Sequence, residues 1–179
     1  MSGERITRRE FVKSSGRTIV AAAFLAAFAG PVVAATEPRK GKLVAACGIY
    51  CGSCPVMIGD DGANKKPGKC TGCAGKKNPC NILKCAKKNN VEVCSLCKKY
   101  PCAEIKSFHA NGKPYKIMAA HNLDVIKEQG LAKWLVEQDA RWRCPKCGKP
   151  VAWDAKACKK CGAALKTIDE DVVAMNLGK

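Results

Sequence analysis

Apolar and polar positions follow three different regimes along the chain. Thr18 to Ala35 is uncharged and rich in alanine, apolar on every side, and interrupted by Gly30-Pro31 after about a dozen apolar residues. A helix of that length covers roughly 18 Å, short of a hydrocarbon core of roughly 30 Å, so the pattern predicts a short apolar segment and not a membrane span. The charged stretch from Thr36 leads into Leu43-Val44-Ala45-Ala46, a short entry strand or turn. From Cys47 to Cys102 the apolar residues are broken up by Gly, Pro, Asn and Lys, which predicts loops and short turns, with Ile82 to Lys88 and Ala103 to Phe108 as helices. Leu123, Ile126, Leu131, Trp134 and Leu135 then recur at helical spacing. They predict a helical pair from Leu123 to Arg141, broken at Gly130, that carries the main apolar packing surface. A hairpin through Pro150-Val151-Ala152-Trp153 follows, and the acidic Asp169-Glu170-Asp171 tail is expected to be mobile.

The resulting organisation is an N-terminal segment at 1–35, a linker at 36–46, a cysteine-rich domain at 47–110, a helical segment at 111–141, a two-knuckle unit at 142–165 and a tail at 166–179. The expected fold class is a small, irregular, metal-stabilised α+β protein.

Composition explains why metal enters the picture. Fourteen cysteines stand against ten aromatic residues in 179, so an ordinary packed interior is poorly supplied and cross-links or metals must replace part of it. The net charge of +17 raises the thought of a polyanion partner. Five basic and two acidic residues lie in the first 35, however, and their removal leaves about +14. Each zinc bound by four thiolates adds −2, and three such sites would leave about +8. The lysine excess therefore reads as compensation for clustered thiolates, and nucleic acid is disfavoured as a partner.

Thr7-Arg8-Arg9-Glu10-Phe11-Val12-Lys13 resembles the twin-arginine export signal, with Val12 where the consensus has leucine. Val33-Ala34-Ala35 offers small residues for processing, which predicts cleavage after Ala35. The resemblance implies the twin-arginine translocon as a partner and a periplasmic or otherwise extracytoplasmic location, with membrane contact only through an uncleaved signal. It also implies export of an already folded chain. Metal can then occupy thiolates in the reducing cytoplasm before they meet oxidant, so an even cysteine count need not mean disulfides.

Cys144-Pro145-Lys146-Cys147-Gly148 and Cys158-Lys159-Lys160-Cys161-Gly162 are the strongest motif. Each places two thiolates on one tight turn followed by a glycine that can take a left-handed conformation. Together they supply four soft donors, a closed zinc-ribbon site with no open position for a substrate. A redox reading would want a thioredoxin-like fold that some twenty residues do not supply.

The other ten cysteines are Cys47, Cys51, Cys54, Cys70, Cys73, Cys80, Cys85, Cys94, Cys97 and Cys102. All are candidate metal ligands, and the spacing leaves their pairing open. The C-x-x-x-C-x-x-C opening at Cys47 is shared with radical enzymes that bind a cluster and S-adenosylmethionine, but the roughly 144 residues beyond Ala35 do not make their barrel. Zinc is the expected cofactor of the block, with an iron–sulfur cluster as the alternative because Cys54-Pro55 is similar to the end of ferredoxin motifs. Disulfides remain a third arrangement. His109 and His121 could each complete a site, though a solvated or capping role is the commoner one. Asp60-Asp61 fits a turn, and no nucleophile–base pair or phosphate loop is visible.

Ala46 to Pro55, Cys70-x-Gly-Cys73, Cys80 with Lys84-Cys85-Ala86, and Cys94-x-x-Cys97 ending in Tyr100-Pro101-Cys102 resemble a cysteine-rich bacterial and archaeal family described only as a domain of unknown function. Similar chains continue into a helical stretch and a Trp-Arg-Cys-Pro ribbon, as at Asn122 to Cys147. The resemblance implies metal binding and no reaction. Two roles remain open: a non-catalytic zinc module that binds another exported protein, or an iron–sulfur electron carrier using the Cys47–Cys102 block. A minor third is metal sensing or storage at an incompletely ligated Cys47, Cys51 and Cys54.

Overall fold

A computed structural model describes residues 43–59, 70, 72–73 and 79–177. Every described residue belongs to one compact unit, which lies within Ala35–Lys179. The Arg8-Arg9 motif, the cleavage point after Ala35, most of the linker and Asp60-Asp61 lie outside the described residues.

The entry segment folds back on itself. Val44 and Tyr50 form an isolated antiparallel bridge, and Cys51 N–H donates to the Leu43 carbonyl at 2.7 Å. A 3₁₀ turn at Cys51–Ser53 and a single helical turn α1 (Pro55–Ile58) follow. Helix α2 (Asn81–Lys88) buries Ile82, Leu83 and Ala86 on one face and leaves its lysines outside. A second 3₁₀ turn, Cys94–Leu96, leads to α3 (Ala103–His109) through a cis Tyr100-Pro101 bond. Both helices lie where the sequence pattern predicts them.

The central element of the described unit is α4 (Pro114–Gln129), which packs against the Cys94–Leu96 turn, α3, α5 (Leu131–Arg141) and α6 (Ile168–Ala174). It begins well before the Leu123 start that the periodicity suggests. Pro114 occupies the first turn, where its missing N–H is harmless, and Met118, Ala119 and Asn122 carry the buried face back to it. Gly130 separates α4 from α5, as expected, at φ 87°. Trp134 of α5 is fully buried and meets Tyr50 edge-on, with ring centroids 5.8 Å apart. Among the described residues no helix is long and apolar enough to cross a membrane.

Two expectations change. The described fold is mostly helical, and its β content is three isolated bridges, Val44↔Tyr50, Arg143↔Pro150 and Ala157↔Ala164. Each knuckle is flanked by one such pair, with one further backbone bond outside it, Val151 N–H to Trp142 and Leu165 N–H to Lys156. The acidic segment expected as a mobile tail instead forms α6. Thr167 caps it: its hydroxyl accepts from Glu170 N–H while the Glu170 carboxylate accepts from Thr167 N–H, a capping box. Ile168 and Val172 are buried, and Asp171 accepts charged hydrogen bonds from Arg141 at 2.6 Å and Lys166 at 3.0 Å. The acidic run reads as solvent-exposed in one dimension, yet it stands in the first turn, where carboxylates favour a helix N-terminus.

Candidate metal centre

Helix α5 runs directly into the first knuckle. Arg143 clamps Asp139 through Nε at 2.9 Å and Nη2 at 2.7 Å, and its Nη1 donates to the Gly148 carbonyl at 3.2 Å. The knuckle closes with Cys144 N–H to the Lys149 carbonyl and Gly148 N–H to the Cys144 carbonyl, both 2.9 Å. The second repeats this with Cys158 N–H to Ala163 and Gly162 N–H to Cys158, both 2.8 Å. Gly148 and Gly162 have φ of 68° and 70°. A Cβ on Gly162 would meet nothing within 4 Å, so backbone conformation alone selects glycine there.

The four sulfurs of Cys144, Cys147, Cys158 and Cys161 lie within 4.8 Å of one another. The Cys144–Cys161 and Cys147–Cys158 separations are 3.5 and 3.7 Å. A tetrahedron with metal–sulfur bonds of about 2.3 Å has edges of about 3.8 Å, so the cluster can hold a metal ion. Its electrostatics favour negative charge at some of the sulfurs. Burial pushes the Cys144 thiol up, but N–H groups of Cys147 and Lys146 outweigh it and hold it down. The Lys160 N–H, and then that of Cys161, hold Cys158 down as well. At Cys161 the Ala163 N–H lowers the thiol, but burial and the three other sulfurs outweigh it and drive it up. Backbone dipoles thus support some thiolates, while the neighbouring sulfurs oppose charge on Cys161, and a positive ion among the four would favour the charged form of each.

The ten other cysteines are less tightly gathered. All fourteen cysteines are among the described residues and none forms a disulfide. Cys47 and Cys51 are buried, and burial raises their thiols to about 11 and about 12. Cys73 and Cys80 add like charge at Cys47, and Cys73, Cys54, Cys47 and Cys70 do so at Cys51. Cys94 is pushed to about 12 by burial and then by Cys47, Cys102, Cys85 and Cys97. The segments thus bring together cysteines distant in sequence. Among the described residues, only the C-terminal four have sulfurs as tightly gathered as 4.8 Å.

His109 is held by the backbone: its Nε2 donates to the Cys47 carbonyl at 3.2 Å, and burial lowers its pKa. His121 sits half-buried on α4. Two supporting residues escape the sequence reading. Asn122 donates to the Gly48 carbonyl at 3.0 Å, and Asn89 donates to the Cys85 sulfur at 3.4 Å. The i,i+4 spacing of Asn89 and Cys85 at a helix end was the available signal for the second; the first pairs segments 74 residues apart and had none.

Residues 43–107 match a family described as "Protein of unknown function (DUF3795)". That is a cysteine-rich family without an assigned role, as the motifs at Ala46 to Cys102 imply, and the four-cysteine cluster lies outside the matched stretch. No curated protein and no solved structure matches the chain.

Proposed function

We propose that this chain is an exported zinc protein whose C-terminal cysteines form a structural zinc ribbon and whose body serves as a non-catalytic module for binding another exported protein. The observation that carries the metal reading is the gathering of four cysteine sulfurs within 4.8 Å, two pairs of them 3.5 and 3.7 Å apart. Four thiolates in a tetrahedron favour zinc, and their number leaves no open coordination position for a substrate. Zinc would be held by Cys144, Cys147, Cys158 and Cys161 and would supply the positive charge those thiolates need. Export rests on Arg8-Arg9 in its signal-like setting and on the small residues before Ala35; folding before transport suits a chain whose thiols must be metallated in a reducing compartment.

Elemental analysis of the purified full chain, joined to an anaerobic absorption spectrum, tests the metal reading. A colourless protein with zinc in the C-terminal cluster is the expected result. A brown preparation with cluster-type absorption would transfer the block to iron–sulfur electron transfer, and a folded metal-free protein would end the reading. For export, fractionation of cells expressing the full chain should place it outside the cytoplasm, and R8K/R9K should retain it inside.

A further inference from the structure

We propose that Cys85, Cys94, Cys97 and Cys102 form a second, separate four-thiolate site for a single zinc ion, independent of the remaining six cysteines of the N-terminal block. The inference deepens the zinc reading of the chain and rests on it.

The first observation is a cavity of about 30 Å³ whose wall contains all four of these cysteines and none of the other ten. Ala86, Asn89, Val91, Lys99 and Tyr100 supply the rest of its inner surface. That volume suits one ion, about the share of a single water. The donors come from three elements: Cys85 from α2, Cys94 and Cys97 from the 3₁₀ turn and its end, and Cys102 from the residue that precedes α3. Three independently anchored segments can surround an ion in a way that one loop cannot. The middle segment is tied down by Cys94 N–H to Ala46 at 2.8 Å and Cys97 N–H to Cys94 at 3.0 Å, while the Cys85 carbonyl accepts from Asn89 N–H at 3.0 Å and the Cys102 carbonyl from Lys106 N–H at 3.1 Å.

The second observation concerns a group beside one of the sulfurs. Asn89 Nδ2 donates to Cys85 Sγ at 3.4 Å while also reaching the Cys85 carbonyl at 2.8 Å. A side-chain amide aimed at sulfur is the support a thiolate ligand receives from its second layer.

These four sulfurs are not as tightly drawn together as the C-terminal set. Binding must therefore contract the site, and the flanking turn and helix ends are where small rotations are available.

The test uses the full chain purified with zinc, its C94S/C97S and C144S/C147S variants, and Asn89→Ala. Zinc per chain is measured by elemental analysis, and zinc release to a chelator is followed in time. C94S/C97S should lose one equivalent and keep the C-terminal ion, and C144S/C147S should do the reverse. Asn89→Ala should retain the full complement but hold one ion roughly 10- to 100-fold more weakly. A C94S/C97S chain with undiminished zinc overturns the proposal, as does iron in this site. A wild-type chain whose single ion disappears with C144S/C147S overturns the second site while leaving the C-terminal one standing; unchanged zinc in C144S/C147S would instead remove the C-terminal reading. Should C94S/C97S fail to fold, Asn89→Ala decides alone, and release indistinguishable from wild type then refutes the site.

Discussion

Gly48 shows how much of the N-terminal motif is set by packing. It follows Cys47 at φ 91°, and a Cβ there would lie 2.2 Å from the Ala119 carbonyl oxygen and 2.8 Å from the Leu123 side chain. The obstructing atom is helix backbone, which cannot swing aside. Asn122, one turn along the same buried face, fixes the Gly48 carbonyl. Gly48→Ala therefore combines backbone strain with a clash and should destabilise the metal-loaded protein by about 3 kcal/mol or more, read as a lowered thermal midpoint. A glycine at that place is conspicuous in the sequence; that α4 is what it makes room for is not.

Among the elements, α6 is the one whose nature changes most between sequence and structure. Thr167 and Glu170 stand at capping-box spacing, and the signal could have been read, but an acidic stretch near the end of a chain looks solvated when considered alone. Thr167→Ala should cost about 1 kcal/mol, within the usual range of lost N-caps, and appear as faster amide exchange in Ile168–Ala174. The cap also fixes a pH dependence. Hydrogen bonds from Thr167, backbone first and then hydroxyl, hold Glu170 below its ordinary value of 4.5. A carboxylate depressed on folding contributes stability above its unfolded pKa and loses it as pH falls through the folded one. Exchange protection of α6 should therefore decline on acidification below about pH 4.5, and Glu170→Gln should flatten that decline.

At the scale of the whole molecule, Trp153 joins the C-terminal cysteine pairs to the body. Its N–H donates to the Ser53 carbonyl at 3.0 Å, its carbonyl accepts from Ile168 N–H at 2.7 Å, and its ring stacks on Tyr115 at 5.9 Å. A metal ion held by Cys144, Cys147, Cys158 and Cys161 would thus stiffen a segment that also supports the entry turn, α4 and α6. Removing that ion with a chelator should loosen the tryptophan: a red shift of tryptophan emission is expected, and a Trp153→Phe chain should show much less of it. An unchanged spectrum on complete metal loss would mean that the body holds the hairpin without help. The sequence by itself determined the local chemistry of the C-terminal site, because two C-x-x-C-G knuckles carry their ligands, turn and glycine within a few residues. It also determined α2, α3 and the break at Gly130, since apolar spacing and helix breakers act over one or two turns. Only the tertiary structure decided which of the ten other cysteines stand near one another, for the Cys94–Leu96 turn and α3 meet on α4 and identical thiols carry no mark of their neighbours. Spacing names the donors, and packing chooses the company they keep.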